Sequence, residues 1–231
     1  MAKKKLKKVT RKKLLKEPDE FITISGKIIR FVMDYKYPLT GGLVGLVILI
    51  LIGAGIRYFS IKAENTAFTL LSQSQIKYEA LLKQTGPQKA LTEVAADFEG
   101  ILKKYSTKKG GRLARVIYAS ICYKAGNLDR AIVLYNESLI DFNSNPFLKN
   151  LILSGLGYAH EEKKDLESAT KYFNMILAGP DPVMKSEALY HLGRLYDAKG
   201  ERDKSNAAYK QLLDRHADSI YTELVKEKLG S

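Results

Sequence analysis

The sequence predicts an all-α chain: a single N-terminal transmembrane helix followed by a solenoid of helix-turn-helix repeats. Three observations carry this. From Leu39 to Ile56 there are 18 consecutive residues without a charge, and 11 of them are Leu, Ile or Val. Beyond Gly86-Pro87 the chain reads as apolar-periodic helical segments separated by short turns at "GN", "NSNP", "GPDP" and "KGERD", with no alternating strand pattern. Those segments also resemble one another at a fixed spacing.

Residues 1–37 form a basic tail with an amphipathic segment. They hold 12 Lys or Arg against four acids, Glu17, Asp19, Glu20 and Asp34, so +8 of the chain's net +13 sits here and the remainder is only mildly basic. The run "KKKLKKVTRKKLLK" reads as a topology signal that lies on anionic lipid, at about 1 kcal/mol per base near the surface. Clustered bases also neutralise phosphates, so nucleic-acid binding is the alternative. After it, Phe21, Ile24, Ile28, Val32 and Tyr35 recur at helical spacing while Lys27, Arg30 and Asp34 share another face, with Pro18 and Asp19 placed to start the helix. The expected form is a short helix on the inner membrane surface, or a partner-binding helix.

Residues 38–59 are the expected transmembrane helix. Eighteen residues at about 1.5 Å each span roughly 27 Å, close to the hydrocarbon thickness. A soluble core helix would need polar positions on its outer face, and this run has only Thr40. A cleaved signal is the rival, because Gly53-Ala54-Gly55 is a small-x-small sequence. Against it, the apolar run exceeds the roughly 7–15 residues of a signal core. Arg57 and Lys62 are the only bases between residues 57 and 76, so the positive-inside rule keeps the N-terminus cytoplasmic. In a bacterium with an outer membrane, residues 60–231 then lie in the periplasm, anchored to the inner membrane.

No helix breaker appears from Ile56 to Thr85, so the anchor helix is expected to run on into "KAENTAFTLLSQSQIKYEALLKQ". Three segments then align, beginning at Leu113, Leu151 and Glu187. The alignment superposes Ala119, Gly157 and Gly193, then Ala131, Ala169 and Ser205, then Tyr135, Phe173 and Tyr209. Small residues recur where two antiparallel helices approach closely, and an aromatic follows four positions after the second. This resembles the tetratricopeptide repeat, best in the third copy with Leu192-Gly193, Tyr196, Gly200 and Tyr209. A weaker leading copy lies in residues 60–105 through Phe98, Ile101 and Leu102, and residues 218–229 read as a terminal helix covering the last repeat.

Catalytic chemistry is not indicated. His160, His191 and His216 have no second ligand at metal spacing, and Cys122, the only cysteine, reads as a buried structural thiol. Glu161-Glu162 and Lys163-Lys164 flank a turn and read as solvated charge. Nucleophile elbows, phosphate-cradling glycine loops and HExxH are absent. No enzyme activity, small-molecule substrate, metal or cofactor is implied. Binding remains: the first helices of stacked pairs line a groove whose exposed positions in this register include Ser120, Tyr123, Lys124, Ser154, Tyr158, Glu161, Tyr190, Arg194 and Asp197. Tyrosines offer apolar contact plus a hydroxyl, and charges orient a peptide. The alternative for each tyrosine is packing between repeats. Repeats that grip a C-terminal carboxylate use Lys and Asn where this chain has Val116 and Ser120, so that clamp is not expected.

One anchor, "RYF" at its outer end, the long helix with "AENTAFTLLSQSQIKYEALL" and the repeats together resemble the YfgM-like ancillary subunits of the bacterial Sec translocon, whose repeats are related to those of the periplasmic cell-division coordinator. The resemblance covers residues 38–230. It implies a membrane-anchored chaperone-like scaffold whose partners are Sec translocon subunits and exported or envelope proteins. A structural component of an envelope or cell-division assembly is the alternative, since Gly41 and Gly45 form a GxxxG spacing for contact between membrane helices.

Overall fold

The structure, a computed structural model, describes residues 20–230, which fall into two compact units divided between Ser60 and Ile61. The basic run at 3–16 with its lipid contact, and the helix-starting Pro18 and Asp19, lie outside the described residues. No strand occurs among the described residues, and the chain is all-helical.

In the first unit α1 spans Glu20–Asp34, and α2, spanning Lys36–Thr85, begins there. The interruption between them has a covalent cause. Pro38 has no N–H to give the Asp34 carbonyl, and its ring crowds that same carbonyl. Backbone bonds on either side persist, from Tyr35 N–H to Phe31 and from Leu39 N–H to Tyr35, at 3.0 and 2.9 Å. The apolar helix therefore starts two residues before the expected boundary at Pro38.

The large apolar side chains between Leu39 and Ile56 are exposed, and none of the most apolar stretch of α2 is buried within the protein. A core helix hides such a stretch, so the soluble-core reading is removed and α2 is a candidate membrane anchor. The hydroxyl of Thr40, the one polar side chain between Leu39 and Ile56, donates to the Tyr37 carbonyl at 3.0 Å.

In the second unit, α2 residues Ala67, Leu71, Ser74 and Tyr78 are buried, as are Ala90, Val94, Phe98 and Ile101 of α3 (Pro87–Tyr105). Three helix pairs follow: α4 (Lys109–Lys124) with α5 (Leu128–Asp141), α6 (Pro146–Glu162) with α7 (Leu166–Ala178), and α8 (Lys185–Ala198) with α9 (Arg202–Arg215). Each helix from α3 onward packs on the next, and α10 (Thr222–Leu229) packs on α9. The terminal helix starts four residues later than the sequence suggests. Side chains divert the backbone there: Ser219 Oγ accepts from Tyr221 N–H at 3.3 Å, and Thr222 Oγ1 donates to the Ala217 carbonyl at 3.1 Å.

The turn inside each pair is the same device used three times. Gly126, Lys164 and Gly200 take left-handed φ of 76°, 64° and 76°. The residue after each returns its N–H to the preceding helix: Asn127 to Cys122, Asp165 to His160 and Glu201 to Tyr196, at 2.9, 2.9 and 2.8 Å. Asn127 and Asp165 then also cap the following helix, accepting from the N–H groups of Arg130 and Ser168. Glu201 stands in the same place without a side-chain cap bond.

The recurring small residue has a direct steric reason. A Cβ on Gly157 would stand 2.7 Å from the Phe173 ring, and one on Gly193 would stand 2.2 Å from the Tyr209 ring. The second helix of each of these pairs thus presses an aromatic ring onto the backbone of the first. In the leading aligned copy, with Ala119 in place of glycine, Tyr135 meets the next pair instead: a Cβ on Gly155 would stand 2.5 Å from its ring.

Two stability changes follow. Lys164→Gly relieves a left-handed side-chain residue and is expected to add about 1 kcal/mol, raising the thermal midpoint by roughly 2–4 °C. Gly193→Ala drives a methyl into Tyr209 and is expected to remove about 1–3 kcal/mol. Helical circular dichroism against temperature on the full chain in detergent checks both.

Candidate protein-binding groove

The first helices of the three pairs present their side chains to one another across the repeat boundaries. Helix α4 packs beside α6. Between α6 and the start of α8, Asn150 Nδ2 donates to the Val183 carbonyl at 3.1 Å and Ser154 Oγ to Glu187 Oε1 at 2.8 Å. Within this layer lies a cavity of about 450 Å³, lined by Ser120, Tyr123, Lys124, Ser154 and Tyr158 among the expected groove residues. Its remaining walls include Val116, Ile117, Tyr135, Leu151, Met184 and Glu187.

Two expected positions are corrected by their surroundings. Ser154 is not an exposed groove residue: it is 2 % exposed, because α8 lies over it and Glu187 takes its hydroxyl. Tyr158 is half-buried rather than projecting to solvent. Its hydroxyl donates to the same Glu187 oxygen, and its ring stands edge-on to Phe173 at 5.5 Å and to His191 at 4.8 Å. Burial raises the Tyr158 phenol pKa, and the bond to the Glu187 carboxylate raises it further.

Glu161, Tyr190 and Arg194 form a second cluster around His191. This corrects the reading of Glu161 as solvated charge. It is half-buried, with Oε1 3.2 Å from Arg194 Nη2 and Oε2 3.5 Å from His191 Nδ1. The hydrogen bond to His191 chiefly, and then the Arg194 charge, hold its carboxyl below the ordinary value despite burial. His191 itself is buried, stacked on Phe173 with ring centres 5.0 Å apart. Tyr190 stacks on Tyr221 of the C-terminal segment at 4.5 Å, with the Arg194 guanidinium 5.9 Å from its ring centre. Asp197 is exposed. Of the rest of the charged turn, Glu162 is exposed and Lys163 pairs with Asp129 of the preceding pair.

Glu187 was missed from sequence, although a signal was present. It occupies the place held by Leu113 and Leu151 in the aligned copies, a charge at an otherwise apolar position. Among the described residues no group of three His, Cys, Asp or Glu is placed to hold a metal ion. Cys122 is buried, and desolvation pushes its thiol pKa up to about 11, far from a reactive thiolate.

A solenoid of helix pairs with a lined groove is of the class that serves as a protein-interaction scaffold. The family model described as "Tetratricopeptide repeat-like domain" matches residues 39–231, and the chain belongs to that family. Its fold is similar to the crystal structure of a tetratricopeptide repeat protein from Parabacteroides merdae, at 17% identity, with a TM-score of 0.55, over 70% of this chain and 61% of that one. It is also similar to the crystal structure of MamA, at 17% identity and a TM-score of 0.50, over 66% of this chain and 84% of that one. This chain thus matches less than two thirds of the length of the first. A comparison with curated protein sequences finds no match.

The Glu161 cluster has a pH signature. A carboxyl whose pKa is lower folded than unfolded contributes stability above its unfolded value, near 4.3, that is lost as pH falls through the folded value. Glu161→Gln is therefore expected to flatten the acid limb of the stability–pH curve below about pH 5. Chemical denaturation of both proteins across that range checks it.

Proposed function

We propose that this chain is a non-enzymatic scaffold of the bacterial inner membrane that binds exported or envelope proteins beside the Sec translocon. In this reading residues 1–37 are cytoplasmic, with the basic tail on anionic lipid, and residues 38–59 are a retained anchor. Residues 60–231 are the periplasmic repeat domain. The observation that carries the reading is the tyrosine-lined cavity across the repeat boundaries, on a chain whose apolar helix is unburied. Tethering supplies the physical logic. A groove fixed near an exit site meets emerging segments at high effective concentration, so weak contacts suffice.

A structural role in an envelope or cell-division assembly is the second reading. Neither Gly41 nor Gly45 has an atom within 4 Å of where a Cβ would stand, which leaves that face of α2 open to another helix. Under this reading Gly45→Leu reduces oligomer size in detergent.

A photo-crosslinking residue at Lys124, exposed at the cavity, tests the two in intact cells, with exposed Lys210 on α9 as the control. Capture of translocon subunits or newly exported chains from position 124 alone is the expected result. Capture of envelope-assembly or division proteins instead moves the function to the second reading.

A further inference from the structure

We propose that the cavity between α4, α6 and α8 is a subsite for a basic side chain, arginine or lysine, of a polypeptide lying in the groove. The inference rests on the groove binding polypeptide and adds the chemistry of what it selects.

Glu187 carries the argument. It is half-buried in the cavity wall, and its Oε1 accepts hydrogen bonds from Ser154 and Tyr158. Both donors are neutral hydroxyls. Among the described residues no lysine, arginine or histidine pairs with this carboxylate, and its Oε2 accepts no hydrogen bond. Two other half-buried carboxylates are handled differently: Glu161 has Arg194 and His191, and Asp141 has Arg112 and Arg115. A carboxylate withdrawn from water with only neutral donors keeps most of its charge unbalanced.

Helix position alone does not explain this orientation. Glu187 lies in the first turn of α8, where the macrodipole favours an acid. A glutamate serving only its own helix turns back toward the N-cap N–H. Here the side chain reaches across to the preceding repeat and holds an oxygen at the cavity.

The remaining walls suit a cation on an apolar stem. Val116, Leu151 and Met184 offer contact to methylene groups, and Tyr123 and Tyr158 add aromatic rings to the lining. The volume of about 450 Å³ is within the range of formed ligand pockets. Lys124 is the other charged residue of the lining. It repels a cation from its own part of the cavity and so directs the basic group toward Glu187.

The test uses the full chain in nanodiscs and a short, otherwise uncharged fluorescent peptide whose central residue is arginine, lysine, citrulline or glutamate. Citrulline keeps the shape of arginine without its charge. By fluorescence anisotropy at low salt, the arginine and lysine peptides are expected to bind about ten-fold tighter than the other two. Glu187→Gln, which keeps an acceptor for Ser154 and Tyr158, is expected to bring arginine down to the level of citrulline. Equal binding of arginine and citrulline to the unaltered chain overturns the basic subsite and leaves the groove reading standing. Absence of binding by every peptide up to about 1 mM overturns both.

Discussion

The contact on which the repeat domain depends is an aromatic ring pressed against bare backbone. Phe173 and Tyr209 occupy the volume that a Cβ on Gly157 or Gly193 would need, and this sets how near the two helices of a pair can come. With that distance set in the second and third pairs, the facing buried positions there carry small groups, Ala169 and Ser205. The groove inherits its shape from the same contact. Tyr135, paired with Ala119 rather than a glycine, lies on Gly155 of the following pair and becomes part of the cavity wall. A packing rule inside each repeat thus becomes, at one exception, a link between repeats.

Much of this was readable before any coordinates. The small and aromatic positions marked each crossing, and Gly126 and Gly200 marked the turns, because these features depend on chemistry local to a repeat. What escaped depends on neighbours. Ser154 reads as a groove residue from its register, yet α8 covers it, and covering is a property of the next repeat's placement. Glu161 looks like half of a charged turn until His191 and Arg194, some thirty residues away in sequence, are brought beside it. Glu187 was hidden because both of its donors, Ser154 and Tyr158, belong to the preceding repeat, some thirty residues away in sequence. The break before α2 was local after all: Pro38 and the Asp34 carbonyl are enough to place it.

Two carboxylates on successive first helices show contrasting solutions to one problem. Glu161 meets a guanidinium and an imidazole, so its charge is compensated from within the solenoid. Glu187 meets two hydroxyls, which orient it without neutralising it. The first arrangement ties α6 to α8 by charge, and the second ties the same helices while leaving an electrostatic preference at the cavity. Placing both at one boundary makes the α6–α8 interface the most polar joint of the groove layer.

The turns within the pairs carry a consequence for how this chain can change in length. In two of them a single residue, Asn127 or Asp165, ends one helix with its backbone and opens the next with its side chain. An added residue there would break both functions at once, so these hairpins tolerate no slack. The connections between pairs, 142–145 and 179–184, already differ in length. Growth, trimming or decoration of the solenoid is thereby confined to its seams between repeats, and the hairpins keep one length from copy to copy like rigid links in a chain.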